Sequence, residues 1–174
     1  MACKHLVIAM GAWAANCDDW LGITLPVRPL RGQSLLLHQP ATPLRRILFG
    51  EGIYLVPKDD GTIVVGATKD DAGFNTNTTP EGIAWLLDAL KRLMPDFDCR
   101  VETARAGLRP KTPDSHPILG AIPGWKNVIL ATGHTGFGIL LSPITGQTIA
   151  EHILTGLTPA IIQPFTLERF RGGE

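Results

Sequence analysis

The sequence predicts an α+β chain: a mostly antiparallel sheet with one helix, inserted between two pieces of an α/β domain. Three observations lead there. Short β-rich runs separated by turn residues fill the middle of the chain, with a hairpin signal at Asp59-Asp60-Gly61. A single strong helical pattern, Pro80 to Met94, interrupts them. A strand followed by a glycine-containing turn stands near each end, at His5 to Ala14 and at Val128 to Leu154.

Taken in order, Leu6-Val7-Ile8-Ala9 is a short buried strand that leaves through the turn Gly11-Ala12-Trp13-Ala14. Leu25 to Leu37 reads as a turn and then a strand, extended from Gln33 to His38. Arg45 to Phe49, Ile53 to Pro57 and Thr62 to Ala67 are further strands. Pro80 suits a first helical position, where its missing N–H has no partner to lose, and Thr78 with Glu81 reads as a capping box. Ile83, Leu86, Leu87, Leu90 and Met94 form one apolar stripe, and Pro95 ends the helix. Cys99 to Leu108 alternates as another strand. Val128 to Ala131 is a fully apolar strand, followed by a glycine turn from Thr132 to Gly138 and a helix from about Ile139 to Leu154. Pro143 fits that helix only in its first turn, and Gly156 ends it. Pro159 to Glu174 reads as a loop and a fraying end.

Composition narrows the function classes. Sixteen Lys+Arg against 16 Asp+Glu leave zero net charge, so bulk charge does not direct the chain to nucleic acid or an anionic membrane. With 44% hydrophobic and 18% charged residues the chain is globular, not disordered. No apolar run reaches the length of a membrane span. Cys3, Cys17 and Cys99 form no CxxC pair, and His5, His38, His116 and His152 form no metal pattern. A reduced, cytoplasmic setting is expected.

Three features carry chemistry. The turn Gly133-His134-Thr135-Gly136-Phe137-Gly138 leads into a helix N-terminus, whose free N–H groups and partial positive charge suit an anion or an electron-rich carbonyl. Its spacing is not the usual dinucleotide fingerprint, and a plain helix entry accounts for it equally well. Arg109 sits at a strand end stiffened by Pro110 and Pro113, which suits capture of a carboxylate, or a structural ion pair with an acid such as Asp114. Tyr54, the single tyrosine, lies in a strand where aromatic residues are more often core. His134 is either a base or a turn residue bonded to backbone.

The ordered segments HLVIAMGAWA, PVRPLRGQSLLL, YLVPKDDGTIVVGAT, GLRPKTPDSHPILG and NVILATGHTGFGILLSPITGQTIAEHIL resemble the C-terminal half of the glycine oxidase and D-amino acid oxidase family of flavoenzymes. The resemblance implies FAD-dependent oxidation of glycine, a D-amino acid or a related amine, by hydride transfer to flavin, imine hydrolysis and reoxidation by oxygen. It implies that Arg109 pairs with the substrate carboxylate and that Tyr54 lines the pocket. It places Gly133, His134, Thr135, Gly136, Phe137, Gly138 and Ile139 at the flavin pyrimidine edge, and Gly11, Ala12 and Trp13 near the ribityl or phosphate part. Residues 1–24 then belong to the FAD-binding domain, 25–114 form the antiparallel substrate domain, 115–158 supply the closing strand and helix of the FAD domain, and 159–174 are a tail.

Gly136 stands where glycine oxidases often carry a second arginine, so carboxylate binding rests mainly on Arg109. No cysteine stands near Gly107, where sarcosine oxidases attach flavin, so the FAD is expected to be non-covalent. The family's G-x-G-x-x-G segment is missing from this sequence. The chain is therefore expected to need a missing N-terminal half, or a second copy of itself, and to be inactive and without FAD alone. Two alternatives stay open: a stand-alone binding or oligomerisation module, and part of a quinone-linked amino acid dehydrogenase.

Overall fold

The computed structural model describes residues 2–40, 43–98 and 100–170. The chain divides into two compact units. One takes the chain up to Leu30 and resumes at Arg109; the other is Arg31–Leu108. The fold is the predicted mixture of α and β, with two mostly antiparallel sheets.

The first unit is built on three strands, β1 (Leu6–Ile8), β7 (Ile118–Ala121) and β8 (Val128–Thr132), in the order β1-β8-β7. β1 pairs parallel with β8, Leu6 opposite Val128 and Ile8 opposite Leu130. β7 pairs antiparallel with β8. A 3-10 turn, Gly11–Cys17, and a one-turn helix, α1 (Asp18–Leu21), follow β1. The long helix α3 (Gly138–Thr155) follows β8. Ile8, Ala14, Leu21, Leu25, Ile118, Ile122 and Leu130 form the main core, and Leu119, Ile129, Ile149 and Ile162 form a second cluster.

The second unit holds a five-stranded sheet, β3-β4-β5-β2-β6, made of β2 (Arg28–His38), β3 (Leu48–Gly50), β4 (Ile53–Pro57), β5 (Thr62–Gly66) and β6 (Val101–Lys111). By this division residues 28–30 of β2 and 109–111 of β6 are counted with the first unit. Alternation sends Leu35, Leu37, Ile53, Leu55, Ile63 and Val65 to one face, where they pack on Leu86, Ala89 and Leu90 of α2 (Pro80–Leu93). A polar clamp ties the loop after β5 to β2. Asp70 accepts from Arg31 Nε (3.2 Å), Gln33 Nε2 (2.8 Å) and Thr68 Oγ1 (2.8 Å). Burial pushes the Asp70 carboxyl up, but these hydrogen bonds outweigh it and leave it below the ordinary carboxylate value.

Several expectations change in detail. The cap of α2 is Thr79, whose Oγ1 accepts from Gly82 N–H at 3.2 Å, not Thr78; with Pro80 in the first helical position the capping residue is the one before it. β3 is Leu48–Gly50 instead of Arg45–Phe49. Its register is set by a two-residue turn, Glu51 (φ 52) and Gly52 (φ 77), which suits a tight hairpin because both residues have positive φ. β2 starts earlier than expected and runs through Pro29, which lies outside the ladder with β5 that starts at Ser34. The strand expected at Cys99 to Leu108 is Val101–Lys111, and Cys99 lies outside the described residues. Pro143 lies within α3, beyond its first turn. It removes the N–H that would bond the Ile139 carbonyl, and the Ser142 hydroxyl donates to that carbonyl instead, at 2.8 Å. Gly156 ends α3 with φ 71, as expected.

The tail is not a loose loop up to Phe170. It forms two 3-10 turns, Ala160–Phe165 and Leu167–Phe170, with Ile162 and Leu167 buried. Residues 171–174 lie outside the described residues. Arg169 secures it: Nε and Nη2 donate to Asp114 at 2.7 and 3.2 Å, Nη2 also to the His116 carbonyl at 3.0 Å, and Nη1 to the carbonyls of Phe165 and Thr166 at 2.8 and 3.1 Å. The guanidinium hydrogen bonds hold the Asp114 carboxyl well below its ordinary value of 3.8. A carboxyl depressed in the folded state contributes stability that is present above that ordinary value and is lost as pH falls beneath it. Acid titration followed by circular dichroism should therefore show a loss of stability below about pH 4, and Asp114→Asn should lower stability at neutral pH while flattening that acid limb.

Candidate functional site

β1 and β8 run parallel, so their carboxyl ends open on the same edge of the first unit. Ligands of open α/β sheets collect at that edge. β1 leaves through Gly11 (φ 56) and β8 through Gly133 (φ 80). Thr132, the last residue of β8 and 1% exposed, donates its hydroxyl to the Gly11 carbonyl at 2.9 Å. That single hydrogen bond holds two turns side by side although they are far apart in sequence.

The backbone of the second turn is closely supported. Thr135 N–H donates to the Pro110 carbonyl and Phe137 N–H to the His134 carbonyl, both at 2.9 Å. A Cβ on Gly133 would stand 2.7 Å from Thr112 Cγ2 and 3.2 Å from the Ile118 nitrogen, so the chain passes here only as glycine. Gly136, by contrast, faces open space. α3 then starts at Gly138 without a side-chain cap and without an acid in its first turn. Its leading N–H groups are unspent by side chains and carry the positive end of the helix dipole. Phe137, Ile139 and Leu140 around this start are 61, 93 and 75% exposed. The Thr135 hydroxyl is buried without a hydrogen-bond partner among the described residues.

His134 is half-buried, and its Nε2 lies 3.0 Å from Thr145 Oγ1. Burial pushes its pKa below the ordinary 6.5, so the ring is neutral at pH 7 and adds no charge to the turn. Arg109 is half-buried on β6, directly before the Pro110 carbonyl that receives Thr135. Asp114, the acid that a structural reading would give it, is engaged by two nitrogens of Arg169. Tyr54 lies in the other unit, on β4. Its neighbours Ile53 and Leu55 face α2, so alternation turns Tyr54 to the opposite face, where it is half-buried instead of core.

Within the first unit the structure thus places the Gly11 carbonyl against Thr132, the residue that leads into the Gly133 turn. Ala12 is buried at 1% exposure, so only its backbone is available to a ligand, whereas Trp13 is 43% exposed. Sequence reading missed Thr132 as the link between the turns. Its one local signal is a threonine at the end of an otherwise apolar strand, and its acceptor lies 121 residues away in sequence. The arrangement suits a planar group with one electron-rich edge: unspent N–H donors face that edge, apolar side chains flank it, and glycines leave room. A flavin fits this description.

Residues 1–152 match the family described as FAD dependent oxidoreductase, and the chain belongs to that family. The bifunctional protein ThiO/ThiG of Trichormus variabilis is 42% identical over 173 residues, which are 97% of this chain and 26% of that protein. The glycine oxidase of Geobacillus kaustophilus is 35% identical over 98% of this chain and 46% of its own length. The crystal structure of glycine oxidase from that organism superposes with a TM-score of 0.87 at 33% identity, over 96% of this chain and 46% of that one. L-proline dehydrogenase from P. horikoshii superposes with a TM-score of 0.88 at 26% identity, over 98% of this chain and 48% of that one. The chain therefore spans less than half the length of the glycine oxidase it matches.

Gly133→Ala tests the support of the turn. The positive φ and the collision with Thr112 together should cost roughly 1–3 kcal/mol in thermal or denaturant unfolding. Gly136→Ala, in open space, should cost much less.

Proposed function

We propose that this chain supplies the substrate-binding sheet and one wall of the flavin site of an FAD-dependent oxidoreductase acting on glycine or a related small amino acid or amine. The observation that carries this reading is the parallel β1–β8 edge, where Thr132 holds the Gly11 turn against the Gly133 turn beside an uncapped helix start. Residues 1–24 and 115–158 belong on this reading to the FAD-binding part, 25–114 to the antiparallel substrate-binding sheet, and 159–174 to the C-terminal tail.

The N–H groups at the start of α3 and the turn from Gly133 to Gly138 would hold the electron-rich edge of non-covalent FAD, and Gly11, Ala12 and Trp13 would serve its ribityl and phosphate portion. Bound there, FAD supplies the hydride acceptor. The N–H donors at the start of α3 would stabilise negative charge on that edge, because preorganised donors favour charge that develops during reaction. Neutral His134 adds no charge beside the helix end. The Arg109 guanidinium binds and orients the substrate carboxylate, and the Tyr54 hydroxyl hydrogen-bonds the substrate. With Gly136 in the turn, no second guanidinium stands there. The pyrophosphate cradle comes from a partner segment with a glycine-rich βαβ unit, which this sequence does not contain.

A second reading keeps the flavin and changes the electron acceptor. The likeness to L-proline dehydrogenase supports it, and peroxide release under air separates an oxidase from a dehydrogenase.

Two experiments test the proposal. Produced together with a glycine-rich nucleotide-binding half, the chain should purify with bound yellow flavin; a colourless, folded complex would reject the flavin wall. In that flavin-loaded protein, Arg109→Ala should raise KM for a small amino acid by about a hundredfold, the scale of a lost charged hydrogen-bonded pair, with flavin content unchanged. An unaltered KM would remove Arg109 from carboxylate binding.

A further inference from the structure

Tyr54 and Gly66 are direct cross-strand partners on β4 and β5. A Cβ built on Gly66 would stand 2.5 Å from the Tyr54 hydroxyl oxygen, 2.6 Å from Cζ and 2.9 Å from Cε2. The tyrosine therefore does not stand up from the sheet. Its ring lies down across β5, and its hydroxyl end occupies the space a side chain at position 66 would take. Phe49, the partner of Tyr54 on β3, stands on the other side with ring centroids 6.2 Å apart and planes tilted by 53°. Ser34 on β2 is the next residue in the same cross-strand row, opposite Gly66. The row Phe49, Tyr54, Gly66, Ser34 crosses the sheet on the face turned away from α2.

The Tyr54 hydroxyl has no hydrogen-bond partner among the described residues. Shape, not a hydrogen bond, fixes where it points: Phe49 flanks one side and the bare glycine backbone lies beneath. Both its donor and its acceptor capacity remain for a ligand. An aromatic ring over a cross-strand glycine also covers exposed backbone, which is a stabilising arrangement in its own right.

We propose that Gly66 is a positioning residue: the absence of its side chain lays Tyr54 across β5 and presents the phenol hydroxyl to the substrate. This deepens the function proposed above, since it rests on Tyr54 binding substrate. Any side chain at position 66 lifts the ring and removes the hydroxyl from its place.

A double-mutant cycle tests it at two levels. In the chain itself, Gly66→Ala should lower the melting temperature when Tyr54 is present and should be near neutral in a Tyr54→Ala background, because the collision is with the ring. An equal loss in both backgrounds would overturn the proposal. In the flavin-loaded protein, Gly66→Ala should raise KM by up to about tenfold, the worth of one hydrogen bond, with flavin content and kcat much less affected. In a Tyr54→Phe background the same substitution should still lower the melting temperature but add nothing to KM. A KM rise that persists without the hydroxyl, or no KM change from Gly66→Ala where Tyr54→Phe has one, overturns the positioning role. If Tyr54→Phe itself leaves KM unchanged, it is the substrate role of Tyr54 that fails, and the melting cycle still decides whether Gly66 sets the ring.

Discussion

The pairing of β1 with β8 is the constraint on which the first unit depends. Both strands are short, and parallel ladders are slightly weaker per residue than antiparallel ones. The buried Thr132 hydroxyl on the Gly11 carbonyl extends that pairing by one side-chain bond into the turns, where the backbone ladder stops. Without it the Gly11 turn and the start of α3 would each be an ordinary strand exit. With it they form one edge that combines backbone donors, glycine space and apolar flanks.

Support for that edge comes from an unexpected direction. Gly133 packs on Thr112 and Ile118, Thr112 donates to the His116 carbonyl at 2.7 Å, and His116 and Asp114 are both held by Arg169 near the end of the described chain. The last turn of the fold thus braces the segment between Arg109 and β7 from outside. Arg169 spends its donors on five acceptor contacts, and its guanidinium also lies 4.2 Å from the Phe170 ring centre. A lysine, with a single ammonium group, could not replicate that fork.

Local patterns were legible in the sequence wherever one physical rule dominates. The Asp59-Asp60-Gly61 turn joins β4 and β5, the apolar stripe of α2 meets the sheet, and Gly156 ends α3. Features decided by long-range contacts were not. β7 escaped notice because Pro117 and Gly120 break up its strand pattern and β8 supplies its pairing. The tail read as fraying because the acceptor for Arg169 lies far back in the chain. Pro143 was misjudged because a neighbouring serine can serve the carbonyl that proline abandons. The glycine turn and Arg109 stood out as candidates by residue type alone. The orientation of Tyr54 did not, since it depends on which residue sits across the ladder, and that is a fact of register.

The insertion of one unit within the other has a consequence for the order of folding. Leu6 must find Val128 across more than two thirds of the chain, and closing so long a loop is entropically costly and slow. The Arg31–Leu108 unit is built largely from consecutive strands and one helix, whose contacts are more local. If it condenses first, its two ends become fixed points, and the loop left for β1 and β8 to close shrinks to the flanking segments alone. Damage to the hairpins of the five-stranded sheet would then be felt as slow closure of the β1–β8 pair, although the hairpins supply no strand to it among the described residues.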